Sequence, residues 1–136
     1  MLYPRRTKFR KYQKGRVPNL TSSAQVFPSF GKYGIQSAES CRLPYQTIEA
    51  TRRVITRKLR RIAKVWVRVF ADIPVTSKPA EVRMGKGKGN PTGWIARISK
   101  GQILFEMDGV SLPHAQQAAR LASHKLGLKT KFIVWS

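Results

Sequence analysis

Charge is the feature that most limits how this chain can fold. Lys and Arg number 27 against 6 Asp and Glu, a formal net charge of +21 at pH 7. Six carboxylates cannot pair 27 cations, so most basic side chains must lie at the surface, and compaction works against self-repulsion. The apolar residues, 41% of 136 positions, suffice for one core and are too few for two domains. A surface this cationic calls for a polyanionic partner. Nucleic acid suits best, because each phosphate neutralised releases counterions, and a membrane surface is the weaker alternative.

No run of about 18 apolar residues exists to form a transmembrane helix, so membrane insertion is not expected. Cys41 stands alone, which excludes an internal disulfide and suits a reducing compartment. Its simplest role is a small residue at the core edge. The first 38 residues hold no acid, as in transit peptides, but Pro4, Gly15, Pro18 and Pro28 break any long amphipathic helix. The segment therefore reads as a mature RNA-binding arm and not as a leader. Within 1–20, Arg5, Arg6, Lys8, Arg10, Lys11, Lys14 and Arg16 alternate with Tyr3, Phe9 and Tyr12. Cations can neutralise phosphates while aromatic rings stack on bases, and a merely solvated tail has no need of the rings.

"VFPSFGKYGIQ" places bulky residues at 26, 27, 30, 33 and 35, which predicts an irregular strand pair within 21–38 with Gly31 and Gly34 at turns. From Pro44 to about Arg61 the pattern becomes helical. Ile48, Ile55, Leu59 and Ile62 make one apolar stripe, with Pro44 in the first turn. Arg53, Arg57, Arg60, Arg61 and Lys64 recur on another face with no acid between Glu49 and Asp72, which predicts a cationic ridge for RNA backbone rather than a solvated face of mixed sign. "KVWVRVF" alternates with period two, and "ADIPVTSKPA" reads as a connector. "WIARIS" and "QILFEMDGV" look like a hairpin turning at Gly101. A second helix starts at Ser111 as N-cap with Pro113 just inside, buries Ala115, Ala118, Ala119, Ala122 and Leu126, and ends at Gly127. "TKFIVWS" is a last strand. The pattern predicts an α+β fold: a mostly antiparallel sheet with two packed helices, an extended basic arm over 1–20, and a single domain over 21–136 with a Gly/Lys loop at 83–90.

That loop, "RMGKGKGNPTGW", invites an enzymatic reading. A nucleotide-binding P-loop or dinucleotide fold needs glycine where Asn90 or Thr92 stands, and a helix should follow where a strand is predicted. His114 and His124 lie about 280° apart around their helix, and Glu106 and Asp108 share a strand face but should pair with Arg97 or another cation. No catalytic site, cofactor or metal site is expected. The glycines instead let backbone approach a crowded surface, while Arg83, Lys86 and Lys88 reach phosphate. The bland alternative is a surface hairpin without a partner.

"RMGKGKGNPTGW" and "RRIAKVWVRVFA" resemble the two signature stretches of the large-subunit ribosomal protein L-sixteen family. "MLYPRRTKFRKYQKGR", "IEATRRVITR", "KPAEVRMGKGKG" and "ILFEMDGV" are similar to the same family, in the same order, over nearly the whole chain. "VPNLTSSAQVFPSF" at 17–30 and Ile62-Ala63 depart from it, and "NPTGWIAR" is most like mitochondrially encoded members. The resemblance implies a structural, non-enzymatic protein of the large ribosomal subunit. Its partners would be large-subunit ribosomal RNA, neighbouring ribosomal proteins and aminoacyl-site tRNA near the peptidyl-transferase region, with no homo-oligomer. It also implies a ribosome in the mitochondrial matrix, with bacterial cytoplasm or plastid as alternatives. Carried over, Arg83, Lys86 and Lys88 would be the loop contacts and Arg5, Arg6, Lys8, Arg10 and Lys11 those of the arm. The rival reading is a free-standing basic RNA chaperone or ribosome assembly factor.

Overall fold

The structure, a computed structural model, describes residues 2–17 and 26–135; the end of the arm and the start of the expected strand pair fall outside these. The elements whose bounds lie within the described residues are, in order, β1 Tyr33–Ser37, β2 Cys41–Pro44, α1 Tyr45–Lys58, β3 Lys64–Val67, β4 Ile73–Ser77, β5 Asn90–Ile98, β6 Ile103–Asp108, α2 Leu112–Leu126 and β7 Thr130–Val134. The strands make two antiparallel sheets, β3-β6-β1-β7 and β2-β5-β4. The α+β class and the packing of two helices match the expectation; the division into two sheets was not foreseen.

β6 is the centre. Ile103, Leu104, Phe105, Glu106 and Met107 are all buried because both faces of this strand are covered. Phe105 pairs with Val67 and Ile35, whose other neighbour Phe132 extends the row, and α1 and α2 close over that face with Ile48, Ile55, Ala115, Ala118 and Ala122. Small alanines let α2 approach closely, and Gly127 takes φ +70° to end the helix. Ser111 does stand at the N-cap, but its hydroxyl meets His114 Nδ1 at 2.7 Å instead of capping a backbone N–H. Among the described residues no helix is long and apolar enough to cross a membrane.

Several local expectations change. Pro44 closes β2 as the N-cap residue of α1, with φ −65° and ψ 149°, so the helix begins one residue later. Leu59 caps its end, Arg60 and Arg61 turn away at φ +50° and +61°, and Ile62 is therefore 74% exposed and outside the buried stripe. Thr51, between Ile48 and Ile55, is the further residue buried on this face, its hydroxyl donating to the Thr47 carbonyl at 2.8 Å. The "connector" contains β4, where Pro74 is tolerated because β4 is an edge strand. β5 and β6 are not a hairpin. Gly101 does take φ +89°, but the 99–102 turn crosses between sheets, bonding to Ser37 and Ser40 on the neighbouring crossing from β1 to β2. The strand pair expected around Gly31 and Gly34 is one strand: Gly34 lies inside β1, and 27–32 is an irregular segment laid over the outer face of the larger sheet.

Candidate nucleic-acid interface

The described part of the arm is held at two places. The Leu2 carbonyl accepts the Ala71 N–H at 3.1 Å, while Tyr3 meets Tyr45 edge-on at 4.9 Å and lies nearly parallel to Trp94 at 6.3 Å. Farther along, Arg97 Nη2 donates to the Lys14 carbonyl at 2.8 Å. Gly15 packs on that guanidinium at φ +64°, where a Cβ would sit 2.7 Å from Arg97 Nη2. Between the anchors Arg5, Arg6, Lys8, Arg10, Lys11 and Lys14 are exposed, and Arg16 is exposed beyond them.

The Gly/Lys loop spans the gap between β4 and β5, with every residue from 81 to 88 exposed and Met84 fully so. Gly85, Lys86 and Gly87 take φ of +93°, +59° and +88° in succession. A Cβ on Gly85 or Gly87 would touch nothing within 4 Å, so backbone conformation alone requires these glycines. Lys86 adopts the same region with a side chain, a local strain of order 1 kcal/mol. The neck is built differently: Lys78 Nζ donates to the Gly85 carbonyl, and a Cβ on Gly89 would lie 2.5 Å from the Ser77 oxygen. Lys11 Nζ reaches from the arm to the Lys88 carbonyl at 3.1 Å. Arm and loop thus meet, a contact between residues 77 positions apart.

The helical ridge is narrower than its sequence pattern. Arg53, Arg57 and Arg61 line one cleft of about 460 Å³ together with Arg52 and Thr56. Arg60 instead borders a separate cleft with Lys58, Ile62 and His114, and Lys64 stands on β3 opposite Asp108. Glu49 bridges Arg52 at 2.5 Å and Arg53 at 3.1 Å. The Arg52 hydrogen bonds, opposed by partial burial and aided by Arg53, hold the Glu49 carboxyl down at about 2. Leu2, Tyr3, Glu49 and Arg53 share a further hollow, so the start of the arm adjoins the ridge. One cationic surface therefore runs from α1 through the arm to the loop.

Of two further arginines, Arg42 is not marked out by the sequence pattern and Arg97 enters it only as a candidate partner for Glu106 or Asp108. Arg42 and Arg97 stand directly opposite on β2 and β5, each with a buried Nε that has no hydrogen-bond partner. Like charges across a strand pair repel, and only the tertiary pairing reveals them. Arg97 consequently does not serve Glu106, which lies in the other sheet. Glu106 is fully buried and its Oε1 takes Arg68 Nη1 at 2.6 Å. The N–H groups of Ser29, Phe30 and Gly31 also donate to it, at 3.0, 2.6 and 2.7 Å. Burial pushes this carboxyl up, but the three N–H groups and the guanidinium outweigh it and hold it below the usual carboxylate range. Asp108, its strand-face companion, accepts the Gly109 N–H at 2.7 Å.

The family model for "Ribosomal protein L16p/L10e" matches residues 4–133. The chain belongs to this family. It is a family of ribosomal proteins, not of enzymes. Large ribosomal subunit protein uL16m of Marchantia polymorpha is 69% identical over the whole of both chains. The uL16m of Arabidopsis thaliana is 58% identical, covering all of this chain and 80% of that protein. Bacterial uL16 of Rhodopseudomonas palustris (strain BisA53) is 47% identical over 98% of this chain and 96% of its own.

Proposed function

We propose that this chain is a structural constituent of the large ribosomal subunit, gripping its ribosomal RNA and helping to position aminoacyl-site tRNA near the peptidyl-transferase region. The observation that carries the reading is the meeting of arm and loop at Lys11 and Lys88, which presents two exposed cationic segments as one surface. RNA backbone lies along Arg5, Arg6, Lys8, Arg10, Lys11, Lys14 and Arg16 and against Arg53, Arg57 and Arg61; Arg60 and Lys64 take RNA from separate directions. Arg83, Lys86 and Lys88 form a finger towards the tRNA. The arm, 1–20, and the domain, 21–136, act together, beside neighbouring ribosomal proteins. Higher identity to two uL16m relatives than to bacterial uL16 supports a mitochondrial ribosome, and hence the matrix.

Sucrose-gradient sedimentation of source lysate in low and then high salt tests this. The chain should remain with large subunits through the salt wash at about one copy each; release into light fractions would indicate a loose electrostatic grip and favour an assembly factor.

A further inference from the structure

The Glu106 cluster poses a question that the cationic surface does not answer. A fully buried carboxylate and its Arg68 partner are devoted to fixing residues 29–31, yet Phe30 is 61% exposed and nearby Phe27 50%. The fixation is thorough. Phe30, Gly31 and Ser29 give their N–H groups to Glu106, Arg68 Nη1 lies 3.3 Å from the Phe27 carbonyl, and Gln36 Nε2 donates to the Val26 carbonyl at 3.2 Å. Gly31 is pressed so close that a Cβ would fall 2.7 Å from the Met107 oxygen and 2.9 Å from the Trp66 ring. Each exposed ring then leans on a tryptophan. Phe30 stacks on Trp66 at 6.2 Å with 21° between planes, under the Arg68 guanidinium at 5.5 Å, and Phe27 meets Trp135 at 5.2 Å. Trp66 belongs to edge strand β3; Trp135 follows the opposite edge strand β7, tied by its N–H to the Lys32 carbonyl at 2.7 Å. Three strand spacings separate those edges, about 14 Å, enough for two distinct stations.

We propose that this outer face of the larger sheet is a stacking platform for unpaired RNA bases, with one station at Phe30 and Trp66 and a second at Phe27 and Trp135. Aromatic rings take any base through its π-face, and rings held rigid in advance lose little entropy on binding. Charge favours RNA over an acidic or apolar protein surface: Arg68 stands over the Phe30 ring, the Glu106 carboxylate is buried beneath it, and Lys64 stands opposite Asp108 at the edge of the face. The site is separate from the arm, ridge and loop, and needs only that the partner be RNA.

The test compares binding of the full chain to single-stranded oligoadenylate and to an abasic phosphodiester of equal length, so that phosphate attraction cancels. Wild type should prefer the oligoadenylate, and the Phe27→Ala/Phe30→Ala pair should lower that preference at least about fivefold. Phe9→Ala/Tyr12→Ala, in the arm, should lower it less. The substituted rings are exposed and the clamp is made by backbone N–H groups, so an unchanged far-ultraviolet circular dichroism spectrum and a cooperative urea transition should show an intact fold. In a Trp94→Phe chain, emission from Trp66 and Trp135 should be quenched by oligoadenylate and not by the abasic strand. An unaltered preference in the Phe27/Phe30 variant, or equal emission with both strands, overturns the platform and leaves the face to a protein neighbour. The sedimentation result stands apart from either outcome.

Discussion

Glu106 shows how much one side chain can organise. Its carboxylate, itself fully buried, joins β6 to Arg68 just beyond β3 and to the backbone of residues 29–31. Glu106→Gln would leave the guanidinium without its carboxylate and offer an NH₂ where donors converge. We expect a loss of about 3–5 kcal/mol, the range for breaking a buried pair, measured by urea unfolding. The acid dependence follows from the same contacts. A carboxyl held below its unfolded value of about 4.3 stabilises the fold above that pH, and the contribution disappears as pH falls through the folded value. Glu106 and Glu49 both act in this sense. Unfolding free energy should therefore fall below about pH 4 in wild type and fall less steeply in Glu106→Gln, as a titration of urea midpoints would reveal.

Helix α1 separates what periodicity can reveal from what it cannot. Ile48, Ile55 and Leu59 were legible because a buried face repeats at helical spacing, and the alanine face of α2 was legible for the same reason. Ile62 fits the spacing equally well, yet the chain has left the helix before reaching it. Ile55→Ala and Leu59→Ala should each cost about 2–5 kcal/mol, against no more than about 0.5 for Ile62→Ala; equal losses in thermal unfolding would contradict the exit at Leu59. β2 and β4 were invisible because each is short and contains proline, and because β2 pairs with a β5 that is distant in sequence. The apparent β5–β6 hairpin misled for a related reason. A glycine turn between two apolar runs states that the chain reverses, not that the two runs bond to each other.

At the scale of the whole molecule, the cationic surface is a product of assembly. Replacing Arg53, Arg57 and Arg61 by Ala should weaken RNA binding across all sequences and flatten the slope of log K against log salt by about 0.7–0.9 for each phosphate that is no longer neutralised. An unchanged slope would remove the ridge from the interface. Replacing Arg83, Lys86 and Lys88 together should leave the melting temperature within about 1 °C, because the loop tip carries no buried contact, yet slow tRNA accommodation by ribosomes carrying the variant. The sequence by itself determined the partner class, the α+β composition, the two helix faces and the Gly/Lys loop, because charge balance and local periodicity are properties of residues near one another in the chain. Tertiary structure decided the two sheets, the choice of Arg68 over Arg97 for Glu106, the Arg42–Arg97 juxtaposition and the meeting of Lys11 with Lys88. Each of these depends on which distant segments become neighbours, and burial and packing settle that only when the whole chain closes around β6.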